Sequence, residues 1–274
     1  MSTDGALLEA RDLRRYFGGG RRWFGRRKPL TKAVDGVSLT VARGRTTGIV
    51  GESGCGKSTL ARMLVGLLEP DAGTIALEGK SVIGLKGDDK LEFHRKVQMV
   101  FQDPLSSLNP RKTVHQILEG PLQVLLGMDK GARVARVEEL MRIVSLRPEF
   151  VDRYPHEFSG GQCQRIGIAR ALAADPRLVV LDEPVSALDV SVQAQVLRLL
   201  KDLQVRLGLT YVFISHDLAV VEALCDRVTV MYFGRVVEEA ERADLFARPQ
   251  DDYTKLLLSA VPIPGQRHAL AGSA

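Results

Sequence analysis

Apolar and polar positions interleave through the first part of the chain in strand fashion. Residues 7–17 and 34–41 read as two strands, which makes the N-terminal part β-rich, and Thr46-Thr47-Gly48-Ile49-Val50 reads as a short buried one. From Leu60 to Leu68 the apolar residues switch to helical spacing. Residues 73–85 hold short strands punctuated by Gly79 and Gly84. Val97-Gln98-Met99-Val100-Phe101 is a compact strand that ends at Gln102, and Asp103-Pro104 stops it. Residues 113 to about 147 turn helical and more charged, with breaks expected at Gly127 and Gly131. Ser159 is a good helix N-cap, and Ile166, Ala169, Arg170 and Leu172 continue at helical spacing. Leu178-Val179-Val180-Leu181 is a continuous apolar run, as expected of a strand covered on both faces. The turn Ser186-Ala187-Leu188-Asp189 caps a long helix over about 190–207, and a strand follows at 209–214. A hairpin of residues 227–232 and 235–239 around Gly234, and terminal helices near Asp244 and over 253–259, complete the pattern.

Composition adds limits. A chain of 274 residues, 45% hydrophobic and 26% charged, is a globular protein of one large domain or a domain with a subdomain. No apolar run approaches the roughly 18 residues needed to span a bilayer, and the first residues lack the apolar core of a signal peptide. A cytoplasmic protein that reaches a membrane only through a partner is therefore expected. Cys55, Cys163 and Cys225 have no metal-ligand spacing and read as reduced, unpaired thiols. The net charge of +5 is too modest and too spread to point to nucleic acid or anionic lipid. The basic, aromatic stretch Arg21-Arg22-Trp23-Phe24-Gly25-Arg26-Arg27-Lys28 is either a patch for lipid headgroups or nucleic acid or a solvated surface loop, and the absence of an amphipathic period favours the loop.

The chemistry centres on Gly51-Glu52-Ser53-Gly54-Cys55-Gly56-Lys57-Ser58-Thr59, which fits the phosphate-cradling pattern G-x-x-x-x-G-K-[ST] between a strand and a helix. The glycines let backbone N–H groups turn inward, the helix start adds donors and its positive dipole end, and Lys57 adds a full charge. Ser58 is placed to offer its hydroxyl to Mg²⁺. The apolar run at 178–181 delivers Asp182 and Glu183 to a strand end, where one carboxylate can hold Mg²⁺ through water and the other polarise an attacking water. Gln102 and His216 also stand at strand ends; Gln102 can reach a metal or an attacking water but alone reads as a turn residue, whereas His216 repeats the placement of Asp182, which favours a γ-phosphate contact over a helix-start residue. Ser159-Gly160-Gly161-Gln162 is a second anion cradle without a lysine, or simply a capped helix. Of the aromatic pair Tyr16-Phe17 upstream, either ring is a candidate to stack on adenine.

In this order the pieces resemble the ATP-binding subunits of ABC transporters over residues 7–264. The markers are the phosphate loop, the Q-loop Gln102, the signature Phe158-Ser159-Gly160-Gly161-Gln162, the strand and acids at 178–183, the D-loop at 186–189 and the switch His216. Phe158 departs from the commoner Leu. Ala33-Val34-Asp35-Gly36-Val37, Phe101-Gln-Asp-Pro-Leu-Ser-Ser-Leu-Asn-Pro110, Tyr154-Pro-His-Glu-Phe-Ser-Gly-Gly-Gln-Cys-Gln-Arg165, Glu183-Pro-Val-Ser-Ala-Leu-Asp-Val-Ser191 and Tyr253-Thr-Lys with the later Ala260-Val-Pro look like the oligopeptide, dipeptide and nickel importers, and most like their F-type ATPase subunit. Many of those relatives continue into a cysteine-bearing tail, and no metal cluster is carried over here.

The resemblance implies an α/β fold: a P-loop NTPase with a RecA-like core, an antiparallel β subdomain and a helical signature subdomain inserted at about 105–172, with residues 265–274 a frayed tail. It implies ATP and Mg²⁺ as cofactors. Phe17 would stack on adenine, Ser58, Gln102 and Asp182 would serve the metal, and Glu183 would act as base with His216 and Gln102 beside it. Asp189 and residues 159–162 would meet the nucleotide held by a second, related ATP-binding subunit, closing head to tail. Two transmembrane permease subunits, and indirectly an extracytoplasmic solute-binding protein, complete the expected partners, with no nucleic acid, at the cytoplasmic face of the inner membrane. An ATPase of a soluble multi-enzyme assembly, such as phosphonate degradation, is the rival. A DNA-maintenance ATPase would want a coiled-coil insertion or zinc-binding cysteines, and a small-molecule kinase has no use for the signature or D-loop.

Overall fold

The computed structural model describes residues 5–18 and 30–259; the basic stretch at 21–28, the Ala260-Val-Pro motif and the tail at 265–274 lie outside them. In chain order the elements are β1 (Ala6–Phe17), β2 (Thr31–Ala42), β3 (Thr46–Val50), α1 (Lys57–Leu64), β4 (Ala72–Leu77), β5 (Lys80–Ser81), α2 (Gly87–Lys96) and β6 (Val97–Val100). Then come α3 (Pro104–Ser107), α4 (Val114–Val124), α5 (Lys130–Ile143), α6 (Gly160–Leu172), β7 (Leu178–Asp182), α7 (Val190–Leu207) and β8 (Thr210–Ile214). α8 (Leu218–Leu224), β9 (Arg227–Tyr232), β10 (Arg235–Glu241), α9 (Arg242–Ala247) and α10 (Asp252–Ser259) close the described chain.

Two sheets result. An antiparallel one has the order β2-β1-β4-β5; the other has the order β10-β9-β3-β8-β7-β6 and is parallel except for β10. Every residue of β3, β7 and β8 is buried, because the mainly parallel sheet is covered on both faces. The period of two divides their side chains between two cores. Ile49, Val180 and Val212 face the core shared with α1 and the antiparallel sheet, while Val50, Leu181 and Phe213 face the core shared with α4–α7. Between β6 and β7 the described chain is helical or irregular.

The structure departs from the sequence expectations in local places. The helix after the phosphate loop stops at Leu64 rather than Leu68, because Gly66 takes a φ of 70° and the N–H groups of Leu67 and Leu68 fold back onto the Arg62 carbonyl. Gly127, at φ 62°, is the break expected there, but Gly131 lies inside α5, where its N–H caps onto the Asp129 carboxylate. Asp189 precedes α7 but makes no side-chain cap bond. Two helices carried no clear periodic signal: α2, whose one buried residue is Phe93, and α8, which Asp217 caps through the N–H groups of Ala219 and Val220.

Candidate functional site

Because β3 lies between β8 and β9, the strand order reverses beside it, and the carboxyl ends of β3, β6, β7 and β8 open on one crevice. The loop after β3 is clamped from two sides. A Cβ on Gly51 would stand 2.2 Å from the Met231 carbonyl of β9, and one on Gly56 would stand 1.9 Å from the Ala33 carbonyl of β2. Only glycine leaves backbone that close, and both also adopt positive φ. The Cys55 side chain is buried beneath the loop rather than facing the cleft, with burial pushing its thiol pKa up, and its carbonyl accepts from the Gly234 N–H at 2.9 Å. Lys57 is 4% exposed, and its Nζ donates to the Gly51 and Glu52 carbonyls, each at 2.7 Å. Its charge is thus solvated by its own loop, at the place where an anion would compete for it.

The facing wall is made of oxygen and nitrogen ligands. Ser58 Oγ donates to Asp182 Oδ1 at 3.0 Å. Burial raises the Asp182 pKa above its ordinary value; the Ser58 hydroxyl opposes this and the neighbouring Glu183 charge adds to it. Glu183 adopts the left-handed region at φ 46°, a conformation that costs a non-glycine residue on the order of 1 kcal/mol. Its N–H donates to the Ile214 carbonyl at 3.0 Å, which fixes the bend. Gln102 Nε2 donates to Glu183 Oε2 at 3.1 Å, and His216 Nδ1 lies 3.1 Å from the same oxygen. A carboxylate only accepts, so Nδ1 carries the proton in this contact. The ends of three strands, β6, β7 and β8, therefore meet at one oxygen atom.

These groups line a cleft of about 570 Å³, with Gly51 to Thr59 (Cys55 excepted) on one side and Gln102, Glu183 and His216 on the other. Ala33 and Leu257 line it too, and Tyr253 Oη accepts the Glu52 N–H at 3.1 Å. Sequence reasoning gave none of these three a place at the site, although Ala33 and Tyr253 stand in stretches that carry the family resemblance. Leu257 is one apolar residue in an amphipathic helix, Ala33 enters through its backbone position, and nothing local pairs residue 253 with residue 52.

The remaining candidates lie off the lining of this cleft. Phe17 ends β1 half-exposed, with the Arg15 guanidinium 5.2 Å from its ring centroid, whereas the Tyr16 hydroxyl is committed to Asp35 Oδ1 at 2.5 Å. Ser159 caps α6 in a reciprocal box: its Oγ accepts the Gln162 N–H at 3.3 Å, and Gln162 Oε1 accepts the Ser159 N–H at 2.9 Å. Gly161 has a packing reason to be glycine, since a Cβ there would stand 2.3 Å from Val192 Cγ1 of α7. Neither residues 159–162 nor Asp189 line the cleft that holds the phosphate loop.

Comparison with known proteins identifies the family. Residues 34–186 match the family described as ABC transporter. The chain is 51% identical over 261 residues to the oligopeptide transport ATP-binding protein OppF of Salmonella typhimurium, covering 94% of this chain and 78% of that protein. The OppF protein of Bacillus subtilis is likewise 51% identical over 260 residues, covering 94% and 83%. Among solved structures, cbiO1 from Clostridium perfringens, part of the ABC transporter complex cbiONQ, superposes with a TM-score of 0.76 at 28% identity over 89% of this chain and 92% of that one. The dimeric, post-hydrolysis structure of the ATP-binding cassette MJ0796 bound to ADP and Pi gives 0.76 at 28% identity, over 86% and 99%. The chain belongs to the ABC transporter family, as an ATP-binding subunit with the cassette fold of an α/β core and an antiparallel β sheet.

Proposed function

We propose that this chain hydrolyses ATP to energise an importer for peptides or a related small solute, from the cytoplasmic face of the inner membrane. The observation that carries the reading is the convergence of Lys57, Ser58, Gln102, Glu183 and His216 on one cleft, with Asp182 buried behind it and bonded to Ser58. The peptide class rests on the two OppF relatives, each about half identical over nearly the whole chain. No described helix is long and apolar enough to cross a membrane, which fits a subunit that works through membrane-spanning permeases.

The residues do their work by charge and position, since phosphoryl transfer to water asks little covalent chemistry of a protein. Lys57 leaves the Gly51 and Glu52 carbonyls for the β- and γ-phosphates, and the loop N–H groups other than that of Glu52, which Tyr253 holds, cradle them. Glu183 accepts the proton of the attacking water, which Gln102 helps to orient, and His216, anchored through Nδ1, presents Nε2 towards the γ-phosphate. Phe17, half-exposed at the end of β1, is the aromatic offered to adenine, given the commitment of the Tyr16 hydroxyl to Asp35. The Ser58 hydroxyl and Asp182 carboxylate, already 3.0 Å apart, with the Gln102 amide oxygen, form the hard oxygen set that suits Mg²⁺. When bound, Mg²⁺ would supply neutralisation of phosphate charge.

Ser159, Gly160, Gly161, Gln162 and Asp189, which stand off this chain's own cleft, serve the nucleotide of a second ATP-binding subunit, a related chain facing it head to tail. The helices α3–α6, about residues 105–172, act as the arm that carries them there. The groove beside Gln102, lined by Leu67, Gln98, Phe101 and Arg170, with Leu67 and Leu105 exposed, is where a permease would dock. Affinity purification of the tagged chain from its native membranes tests the assembly. Two multi-spanning proteins and a sister ATPase are expected, with a solute-binding protein encoded for the same system. Recovery from the soluble fraction with metabolic enzymes, and no membrane protein, would refute the importer in favour of a soluble assembly.

A further inference from the structure

The first peptide of the phosphate loop is fixed from outside the motif. The group that joins Gly51 to Glu52 is planar, with its C=O and N–H pointing to opposite sides. Its carbonyl accepts from Lys57 Nζ at 2.7 Å, and its N–H donates to Tyr253 Oη at 3.1 Å, across 201 positions of sequence. One plane is therefore held at both ends, by an ammonium inside the loop and a phenol outside it. Gly51, at φ 148°, has no side chain to resist a turn of that plane.

Tyr253 is itself held in place. Its N–H donates to Asp251 Oδ1 at 2.9 Å, and its ring lies 4.1 Å from that of Tyr232 at the end of β9. The N–H groups of Gln250 and Asp251 tie the start of α10 to the Glu238 carboxylate of β10, at 2.9 and 3.0 Å. One turn further along α10, Leu257 lines the cleft beside Glu52. This helix is thus a wall of the nucleotide site, anchored to the same strand pair that supports the loop from below.

We propose that Tyr253 is a positioning residue for ATP binding, whose hydroxyl keeps the Gly51–Glu52 peptide oriented when Lys57 moves to the phosphates. The inference rests on the ATP reading given above. Without nucleotide, Lys57 and Tyr253 share the task; once phosphate draws the ammonium away, the Gly51 carbonyl loses that donor and the Glu52 N–H bond to Tyr253 is the tie that remains. A loop without it must be ordered at the expense of binding, so the loss falls on affinity.

Tyr253→Phe removes one oxygen and keeps the ring. ATP affinity of the 274-residue chain is measured by equilibrium binding, with steady-state ATP hydrolysis and nucleotide-free melting alongside. The variant is expected to raise the Kd and KM for ATP roughly two- to tenfold, the worth of one hydrogen bond, with the change in KM larger than that in kcat. Unaltered Kd and KM, or a loss confined to melting temperature or kcat, would overturn the proposal. A wild-type chain that binds no ATP, or that Lys57→Ala leaves equally tight, would overturn the ATP reading and this inference together.

Discussion

Replacing Glu183 by Gln separates the shape of the site from its chemistry. The amide keeps one oxygen acceptor where Gln102 Nε2 and His216 Nδ1 now meet Glu183 Oε2, both at 3.1 Å, so at most about one hydrogen bond, worth ~1 kcal/mol, changes in the ground state. The left-handed backbone at φ 46° is no harder for Gln than for Glu. What disappears is the group that accepts a proton from water, and loss of a general base costs on the order of 10² to 10⁴ in rate. At 1.36 kcal/mol per decade that is ~3–5 kcal/mol of barrier, several times the ground-state effect. Glu183→Gln is therefore expected to bind ATP within about fivefold of wild type while turnover falls by two to four decades. A phosphate-release assay at saturating ATP, paired with equilibrium nucleotide binding, measures both. Turnover within tenfold of wild type would refute the assignment of Glu183 as base.

Glu78 is ringed by Arg43 at 2.8 Å, Lys96 at 3.4 Å and Arg177, and these cations, Arg43 first, lower its pKa from 4.5 to about 2. Its ionised form is favoured in the folded state, so the stabilisation is full above pH ~4.5 and fades as pH falls towards 2. Glu78→Gln should therefore melt below wild type at pH 7, with the gap narrowing below pH ~4.5 and closing only near pH 2; a gap as wide at pH 2 as at pH 7 would refute the linkage. Gly161→Ala drives a methyl to within 2.3 Å of Val192 Cγ1, an overpacking that typically costs about 1–3 kcal/mol, whereas a methyl on Gly160 would sit an ordinary 3.5 Å from Leu188 Cδ2. Thermal melts of the two variants should separate, with Gly161→Ala lower; equal melting would show that α6 and α7 yield easily.

Local chemistry made the phosphate loop, the buried run before Asp182 and the cap at Ser159 legible in the sequence. A glycine-rich turn between strand and helix, an unbroken apolar stretch and an N-cap with Gln three residues on are each decided within about ten residues. The helices without a clear period show the limit: α2 buries only Phe93, so its helix leaves almost no hydrophobic record. Tertiary structure alone decided what those pieces meet. Gln102, Glu183 and His216 are separated by 81 and 33 positions, and only the strand order of the parallel sheet sets them around one carboxylate oxygen. The same holds for Gly161, which reads as an exposed anion cradle in sequence and is also a close contact between α6 and α7 in space. It holds most plainly for Tyr253, whose hydrogen bond to Glu52 depends on the return of the chain through β9, β10 and α10 to the loop after β3. Pattern records what a residue buries against its own neighbours in the chain; register between distant strands fixes which ionisable and hydrogen-bonding groups share a site.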